Sequence, residues 1–416
     1  MTLYYFAKTR WYKGFQKREK VENYQKKMWK KQLDFVQKHS EFYKSGQIPL
    51  MNKEVMMANF DQINTVNITK EEAFSFAIEN EKTREFSSKF KNITVGLSTG
   101  TSGNRGIFLV SNREKAMWTG SILGKMLPLN HILFHKIAFF MRADSPLYQS
   151  VKSPVMKFHF FDLMLDMEDN LNKLQEFSPT LLIAPPSMLF LIAKAQQEGK
   201  IHISPKRIIS IAEVLEDDDK TFIQKSLNQD HVHQVYQCTE GLLACTCQHG
   251  NLHLNEEIVK IEKEMIDETR FYPIITDLKR KAQPVISYKL NDILCLSDKK
   301  CPCGSSFNVI DKIEGRSDDI FQFSNKDTGE KILVFPDFIR NIMSFAQSDF
   351  NYRVVQESLE TLTIYLDTEE NSVYKSIQEE FVKFCDNKQC KCPHIQFQAY
   401  EYDIRKKLKR VESQIK

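Results

Sequence analysis

From about residue 90 the chain alternates short apolar β-type runs with helical stretches, and that alternation constrains its fold more than any other feature. Ile93–Leu97, Lys136–Met141, Thr180–Ile183 and Arg207–Ile211 read as buried strands, the last three each followed by a loop or helix pattern. Strands separated by helices pair in parallel, so an α/β architecture is expected. Residues 1 to about 45 read as helical, with Trp11, Phe15, Met28, Leu33 and Val36 set among lysines. Between Asp267 and Asp298 strand signals crowd together without a helix, as in a small antiparallel sheet or barrel. A break falls at Gly315–Asp319. Beyond it an α+β segment is expected, with strands near Tyr352–Gln356 and Thr361–Leu366 and a helix near Ser372–Cys385.

Composition narrows the class. With 416 residues, 42% apolar and 27% charged, the chain can bury more than one core. A net charge of +4 gives no global case for nucleic acid. Basic residues crowd Lys8–Lys31 and Arg405–Arg410, which by default read as a solvated helix face and a solvated tail. The run Leu3–Ala7 is too short for a signal peptide, and the most apolar stretch, Thr180–Ala195, is broken by Pro185, Pro186 and Ser187. No membrane association is expected, and the cytoplasm is the expected compartment. Nine cysteines, an odd number, then argue for metal ligands or buried thiols over a disulfide framework.

The segment Leu97-Ser98-Thr99-Gly100-Thr101-Ser102-Gly103-Asn104-Arg105-Gly106 carries the first chemical signal. Glycines let backbone N–H groups turn inwards, hydroxyls add donors and Arg105 adds a cation, which suits a polyphosphate. It is not a Walker A loop, because no Gly-Lys-Ser/Thr closes it. Alone, such a turn is more often just a hairpin.

This segment resembles the phosphate loop of adenylate-forming enzymes, with Asn104-Arg105 where lysine and proline are usual. Further similarities follow in that family's order. Ser210-Ile211-Ala212-Glu213 is similar to the stretch lying along the adenine. Tyr236-Gln237-Cys238-Thr239-Glu240 resembles Tyr-Gly-x-Thr-Glu, Tyr288-Lys289-Leu290-Asn291-Asp292 resembles Tyr-Arg-Thr-Gly-Asp, and Gly315-Arg316-Ser317-Asp318-Asp319 resembles Gly-Arg-x-Asp-Asp. Lys406-Lys407-Leu408-Lys409-Arg410-Val411 is similar to the Gly-Lys-x-x-Arg-Val tail of the phenylacetate–CoA ligase branch.

The resemblance implies a large multi-sheet adenylation domain, residues 1–316, and a small α+β lid, residues 317–416. It implies that Mg·ATP and a small carboxylic acid form an acyl-AMP, with transfer to CoA. Transfer to a carrier-protein thiol or an amine is the alternative, and a non-catalytic nucleotide-binding relative is another. Ser98, Thr99, Gly100, Thr101, Ser102, Gly103 and Arg105 would meet phosphates. Ala212, Glu213 and Tyr236 would hold adenine, Thr239 the α-phosphate, Glu240 the magnesium, and Asp292 and Arg316 the ribose. Lys407 would be the catalytic lysine.

Cys247, His253 and the turn Cys301-Pro302-Cys303-Gly304 resemble a structural zinc set of that branch, with Cys245 and His249 as rival ligands. Reduced, unligated thiols are the plainer reading. The trio Cys385, Cys390 and Cys392 with His394 is too compressed for a second site. The acid pocket is expected to draw on Leu129–Ala143 and Val235–Leu243, although Phe134, Phe139, Phe140 and Met141 could equally be core.

Overall fold

The structure, a computed structural model, describes residues 1–12, 14–83, 88, 90–97, 105–129, 132–142, 144, 151, 155–345, 351–400 and 408–415. The chain divides into two compact units. The first comprises Met1–Leu215, Lys220–Leu290 and Cys295–Lys312, and the second Glu216–Asp219, Asn291–Leu294 and Ile313–Lys416.

The first unit is α/β, as the alternation implies. Its strands are β1 (Ile93–Leu97), β2 (Ile107–Ser111), β3 (His135–Met141), β4 (Met156–Asp162), β5 (Leu181–Ala184), β6 (Arg207–Ile211), β7 (Val232–Cys238), β8 (Gly241–Thr246) and β9 (Leu252–Leu254), followed by β10 (Val259–Met265), β11 (Arg270–Asp277) and the short β12 (Tyr288–Lys289). β4, β3, β5, β6 and β7 lie side by side in parallel, and β8 and β9 continue the sheet antiparallel. The helices Met167–Phe177, Pro186–Gln197 and Asp217–Ser226 connect β4 to β5, β5 to β6 and β6 to β7. Pro186 opens the helix Pro186–Gln197 at its first turn, where a missing N–H costs nothing. β4 was not anticipated: Lys157 and His159 alternate with Phe158 and Phe160 along an edge strand, which weakens the apolar signal. The crowded signals after Asp267 resolve into antiparallel pairs of β10 with β11 and of β11 with β12.

β1 and β2 form an antiparallel hairpin, Leu97 opposite Ile107, and the Ser/Thr/Gly segment between them lies outside the described residues. Ser111 then caps the helix Asn112–Met126 through a capping box with Glu114. The expected N-terminal helices are Thr2–Trp11 and Arg18–His39. Gln25 and Gln32 of the second are buried, and they donate to the carbonyls of Glu256 and Arg280.

The second unit holds β13 (Asp292–Leu296) in part, the end of β14 (Val309–Arg316), and the hairpin of β15 (Phe321–Ser324) with β16 (Lys331–Val334). A separate sheet orders β17 (Tyr352–Gln356), β18 (Thr361–Leu366), β19 (His394–Ala399) and β20 (Val411–Ser413) as β19–β18–β17–β20. The helix Asn371–Asn387 buries Val373, Ile377, Phe381 and Cys385, one residue every four, as one helix face requires. These meet Val354, Leu362 and Ile364 of the sheet in one core.

Candidate functional site

The parallel strands end in loops at one edge of the sheet, and in open α/β sheets that edge carries the ligand. Two expected motifs sit there. β6 ends at Ile211, and Ala212 takes φ +67°, the left-handed conformation that glycine usually supplies. Glu213 follows with its carboxylate buried. It accepts from the Ser187 hydroxyl at 2.6 Å and pairs with Arg142 at 3.1 Å, so it orders this loop edge.

The turn Thr239–Glu240 joins β7 to β8, with a register shift between Tyr236 and Gln237 that re-aims the strand end. The Thr239 hydroxyl donates to Glu240 Oε2 at 2.8 Å, and the Tyr288 hydroxyl donates to Oε1 at 3.1 Å. Burial, reinforced by the Glu240 charge, pushes the Tyr288 hydroxyl well above its ordinary pKa, so it stays a donor at neutral pH. Tyr236 is half-buried and packs on the core beneath.

Beneath the turn lies a buried polar network that the sequence did not disclose. Arg280, 1% exposed, donates to the Thr239 carbonyl at 2.6 Å, to the Leu109 carbonyl at 3.3 Å and to Gln283 at 2.9 Å. Gln283 in turn accepts from the Leu109 N–H and donates to the Ile107 carbonyl. Glu114 accepts from the N–H groups of Lys281 and Ala282. One guanidinium thus ties the Thr239–Glu240 turn to β2 of the β1–β2 hairpin. Asp277 accepts the N–H groups of Lys279 and Arg280 through Oδ1, while Oδ2 is buried without a hydrogen-bond partner. Burial raises its pKa to about 6.

Ser98, Thr99, Gly100, Thr101, Ser102 and Gly103 lie outside the described residues, as does Lys407. Arg105 is described and forms a two-pronged ion pair with Glu81, at 2.7 Å for one prong. In the second unit Asp292 and Arg316 come together at 3.6 Å. The basic tail is no solvated run where it is described: Lys409 pairs with Asp319 at 2.7 Å and Arg410 with Asp219 at 3.0 Å. Of the expected acid-pocket residues, Phe139 and Phe140 are core, Phe140 stacking on Phe161 at 4.4 Å, and Phe134 is 72% exposed.

The fold resembles solved enzymes despite low identity. A 2-hydroxyisobutyryl-CoA ligase in a postadenylation state, in complex with the adenylate R3-HIB-AMP, matches with a TM-score of 0.71 at 13% identity, over 95% of this chain and 90% of that one. The same ligase in an open conformation with 2-HIB-AMP and CoA matches at 0.61 and 14% identity, over 94% and 91%. The chain has the fold of the adenylate-forming ligases. Two further structures with this fold are the anthranilate CoA ligase AuaEII, at 0.53 and 12% identity over 76% of this chain and 66% of that one, and the amide bond synthetase McbA from Marinactinospora thermotolerans, at 0.54 and 10% identity over the same shares. No family model and no curated protein matches the sequence.

Within this adenylate-forming fold the cysteines and histidine form a compact cluster. Cys247, His253, Cys301 and Cys303 bring their ligand atoms within 4.8 Å of one another. Cys247 and Cys301 sulfurs are 3.5 Å apart, and Cys303 Sγ lies 3.4 Å from His253 Nε2. These separations are far too long for a disulfide and match the edges of a zinc tetrahedron, about 3.5–3.8 Å for bonds near 2.0–2.3 Å. The Asn251 amide donates to Cys301 Sγ at 3.1 Å, the His249 N–H to Cys247 Sγ, and His253 Nδ1 faces the Phe307 carbonyl at 3.2 Å. Burial holds His253 below its ordinary pKa, in the neutral form that binds metals. The rivals fall away: Cys245 is core and the His249 ring faces Gln248 at the surface. Cys385 and Cys390 are buried in the second unit's core, and among the described residues no other ligand group gathers. No helix among the described residues is long and apolar enough to cross a membrane.

Proposed function

We propose that this chain activates a small carboxylic acid as its acyl-AMP with Mg·ATP and transfers the acyl group to the thiol of CoA. The observation that carries this reading is the Thr239–Glu240 turn, held at the ligand edge of the sheet by Arg280 and Tyr288, in a fold shared with a CoA ligase that binds an acyl adenylate. Thr239 offers a neutral donor for the α-phosphate. Glu240 is a hard carboxylate suited to Mg²⁺, which neutralises phosphate charge when bound. Ser98, Thr99, Gly100, Thr101, Ser102, Gly103 and Arg105 receive the β- and γ-phosphates, and in doing so Arg105 exchanges Glu81 for phosphate. Tyr236, Ala212 and Glu213 border the adenine, while Asp292 and Arg316 take the ribose. Lys407 stabilises charge as the carboxylate attacks phosphorus and pyrophosphate leaves. Positioning and charge neutralisation supply the rate, since the protein forms no bond itself. The lid, residues 317–416, then turns about Asp318 to admit the thiol. Cys247, His253, Cys301 and Cys303 hold a structural zinc. The chain works in the cytoplasm.

ATP–pyrophosphate exchange across a panel of aryl and short-chain acids tests the first half, and acid-dependent exchange is expected. ATP binding without exchange for every acid would replace this reading by that of a non-catalytic nucleotide-binding relative. With the acid in hand, CoA is expected to discharge the adenylate faster than a phosphopantetheinylated carrier protein or an amine. The likeness to an amide bond synthetase keeps the amine in that comparison.

A further inference from the structure

The first unit contains a cleft of ≈ 760 Å³ that none of the residues Ser210–Glu213 or Tyr236–Glu240 lines. Its cations fall into two groups. Arg10 donates to the carbonyls of Gly124, Leu127 and Pro128, Arg207 to that of Met126, and Lys125 pairs with Glu257 at 2.7 Å, so these three are committed. Lys8, Arg113 and Lys279 also line the cleft, and among the described residues none of them pairs with a carboxylate at ion-pair distance. Arg113 meets the Tyr5 side chain.

Lys279 is the informative member. Its ammonium is half-buried and lies over the Tyr24 ring at 5.1 Å. Lys8 faces it from the helix Thr2–Trp11, Lys31 and Tyr24 from the helix Arg18–His39, and Arg113 from the helix Asn112–Met126. Asp277, the carboxylate whose charge favours the ammonium, spends Oδ1 on two backbone N–H groups. Burial, with Lys8 and the other cations against Asp277, lowers its pKa to about 8. An ammonium desolvated among like charges costs stability unless a ligand brings the missing negative charge. The rim of the cleft adds rings that solvent still reaches, Trp11 at 61% and Tyr12 at 56% exposure. Such rings suit a planar group.

We infer that this cleft binds a phosphorylated ligand bearing a planar ring, with the phosphate seated among Lys8, Arg113 and Lys279 and the ring against Trp11 and Tyr12. The basic N-terminal segment is then half of a binding site that Lys279 completes from a loop distant in sequence. The cleft also reaches Cys247, His253 and Cys303, but the charge balance is decided at Lys279.

Phenyl phosphate is the probe, applied to the full chain. It is expected to raise the thermal midpoint and to protect Lys279 from amine-directed acylation read by mass spectrometry, with inorganic phosphate acting more weakly. Lys279→Gln without ligand is expected to be at least as stable as the parent, because a desolvated cation is removed, and to bind phenyl phosphate about tenfold or more weakly. ATP–pyrophosphate exchange should be unchanged in K279Q, which separates this cleft from phosphate binding at Ser98–Gly106. The inference is overturned if phenyl phosphate shifts neither midpoint nor labelling. It is equally overturned if it shifts parent and K279Q alike, or if K279Q unfolds the protein as a structural residue would.

Discussion

Asp277 shows how far one atom's surroundings can set a measurable property. Its carboxyl titrates near 6 in the folded chain instead of 3.8, because burial outweighs the two N–H groups and Arg280 that favour the charge. Between those values the folded state binds more protons than the unfolded one. Stability therefore falls as pH rises from about 4 to 6, and the penalty stays in place above that. A shift of about 2 units corresponds to about 3 kcal/mol. Asp277→Asn keeps the Oδ1 acceptor and cannot ionise, so the parent-minus-variant stability should fall by about 1–3 kcal/mol between pH 4 and 7. Denaturant titrations at a series of pH values measure it, and a pH-independent difference would exclude Asp277 as the titrating group. Asp292 makes the complementary case. If its carboxylate accepts the ribose hydroxyls, Asp292→Ala should weaken Mg·ATP by about ten- to a hundredfold and erase the preference over 2′-deoxy-ATP. A preference that survives the change would make Asp292 the partner of Arg316 and nothing more.

At the scale of elements, the hairpin β1–β2 and the turn after β7 are held by the same guanidinium. Arg280→Ala leaves the Thr239 and Leu109 carbonyls and Gln283 short of a donor and should cost about 3–5 kcal/mol. Arg280→Lys keeps the charge but cannot reach both carbonyls. A folded R280K with about tenfold slower exchange and a raised KM for Mg·ATP, but an unchanged KM for the acid, would identify a positioning residue. Equal effects on both KM values would mean a merely structural one. The cysteine–histidine cluster joins residues 247–253 to 301–303 in the same way. One zinc per chain is expected on metal analysis, and Asn251→Ala, which removes the donor to Cys301, should weaken zinc by about ten- to a hundredfold. Purified protein without zinc would leave four reduced thiol and imidazole groups and no metal centre.

Elements also show what a sequence does and does not disclose. Ala212, Glu213, Tyr236 and Glu240 could be named because the short motifs that hold them resemble those of a known family, the first of them just after the apolar run Arg207–Ile211. The cluster Cys247, His253, Cys301 and Cys303 could be named, with Cys245 and His249 as rivals, because few residue types ligate zinc and the spacing resembles a known zinc set. Arg280 could not, since Lys279-Arg280-Lys281 looks like a solvated turn and its burial is decided by Trp118, Leu109 and Thr239, remote along the chain. The same remoteness hid the pairing of Glu213 with Arg142, and it made core of Phe140, which the sequence left open as a pocket residue.

For the whole molecule, the proposed cycle turns on Lys407 serving only one of two half-reactions. The described end of the tail is anchored: Lys409 and Arg410 are held by Asp319 and Asp219, and Val411 pairs with Val354 at the start of β20. Lys407 precedes Lys409 by two residues in the sequence and belongs to the same unit, and the proposed cycle requires that it act only when that unit presents it. Lys407→Ala should lose acyl-AMP formation by about 3–4 kcal/mol, the typical cost of one charge contact made in the transition state. Thioester formation from synthetic acyl-AMP and CoA should be nearly unaffected, because the lysine has by then been withdrawn. Arg410→Ala should behave differently, harming both halves together through loss of the Asp219 pair and of β20. Measuring the two half-reactions separately for each variant decides the matter. Equal loss in K407A would place the lysine in binding or folding and leave the two-position cycle without its catalytic residue, and a larger effect at Lys406 or Lys409 would shift the register by which Lys407 was chosen.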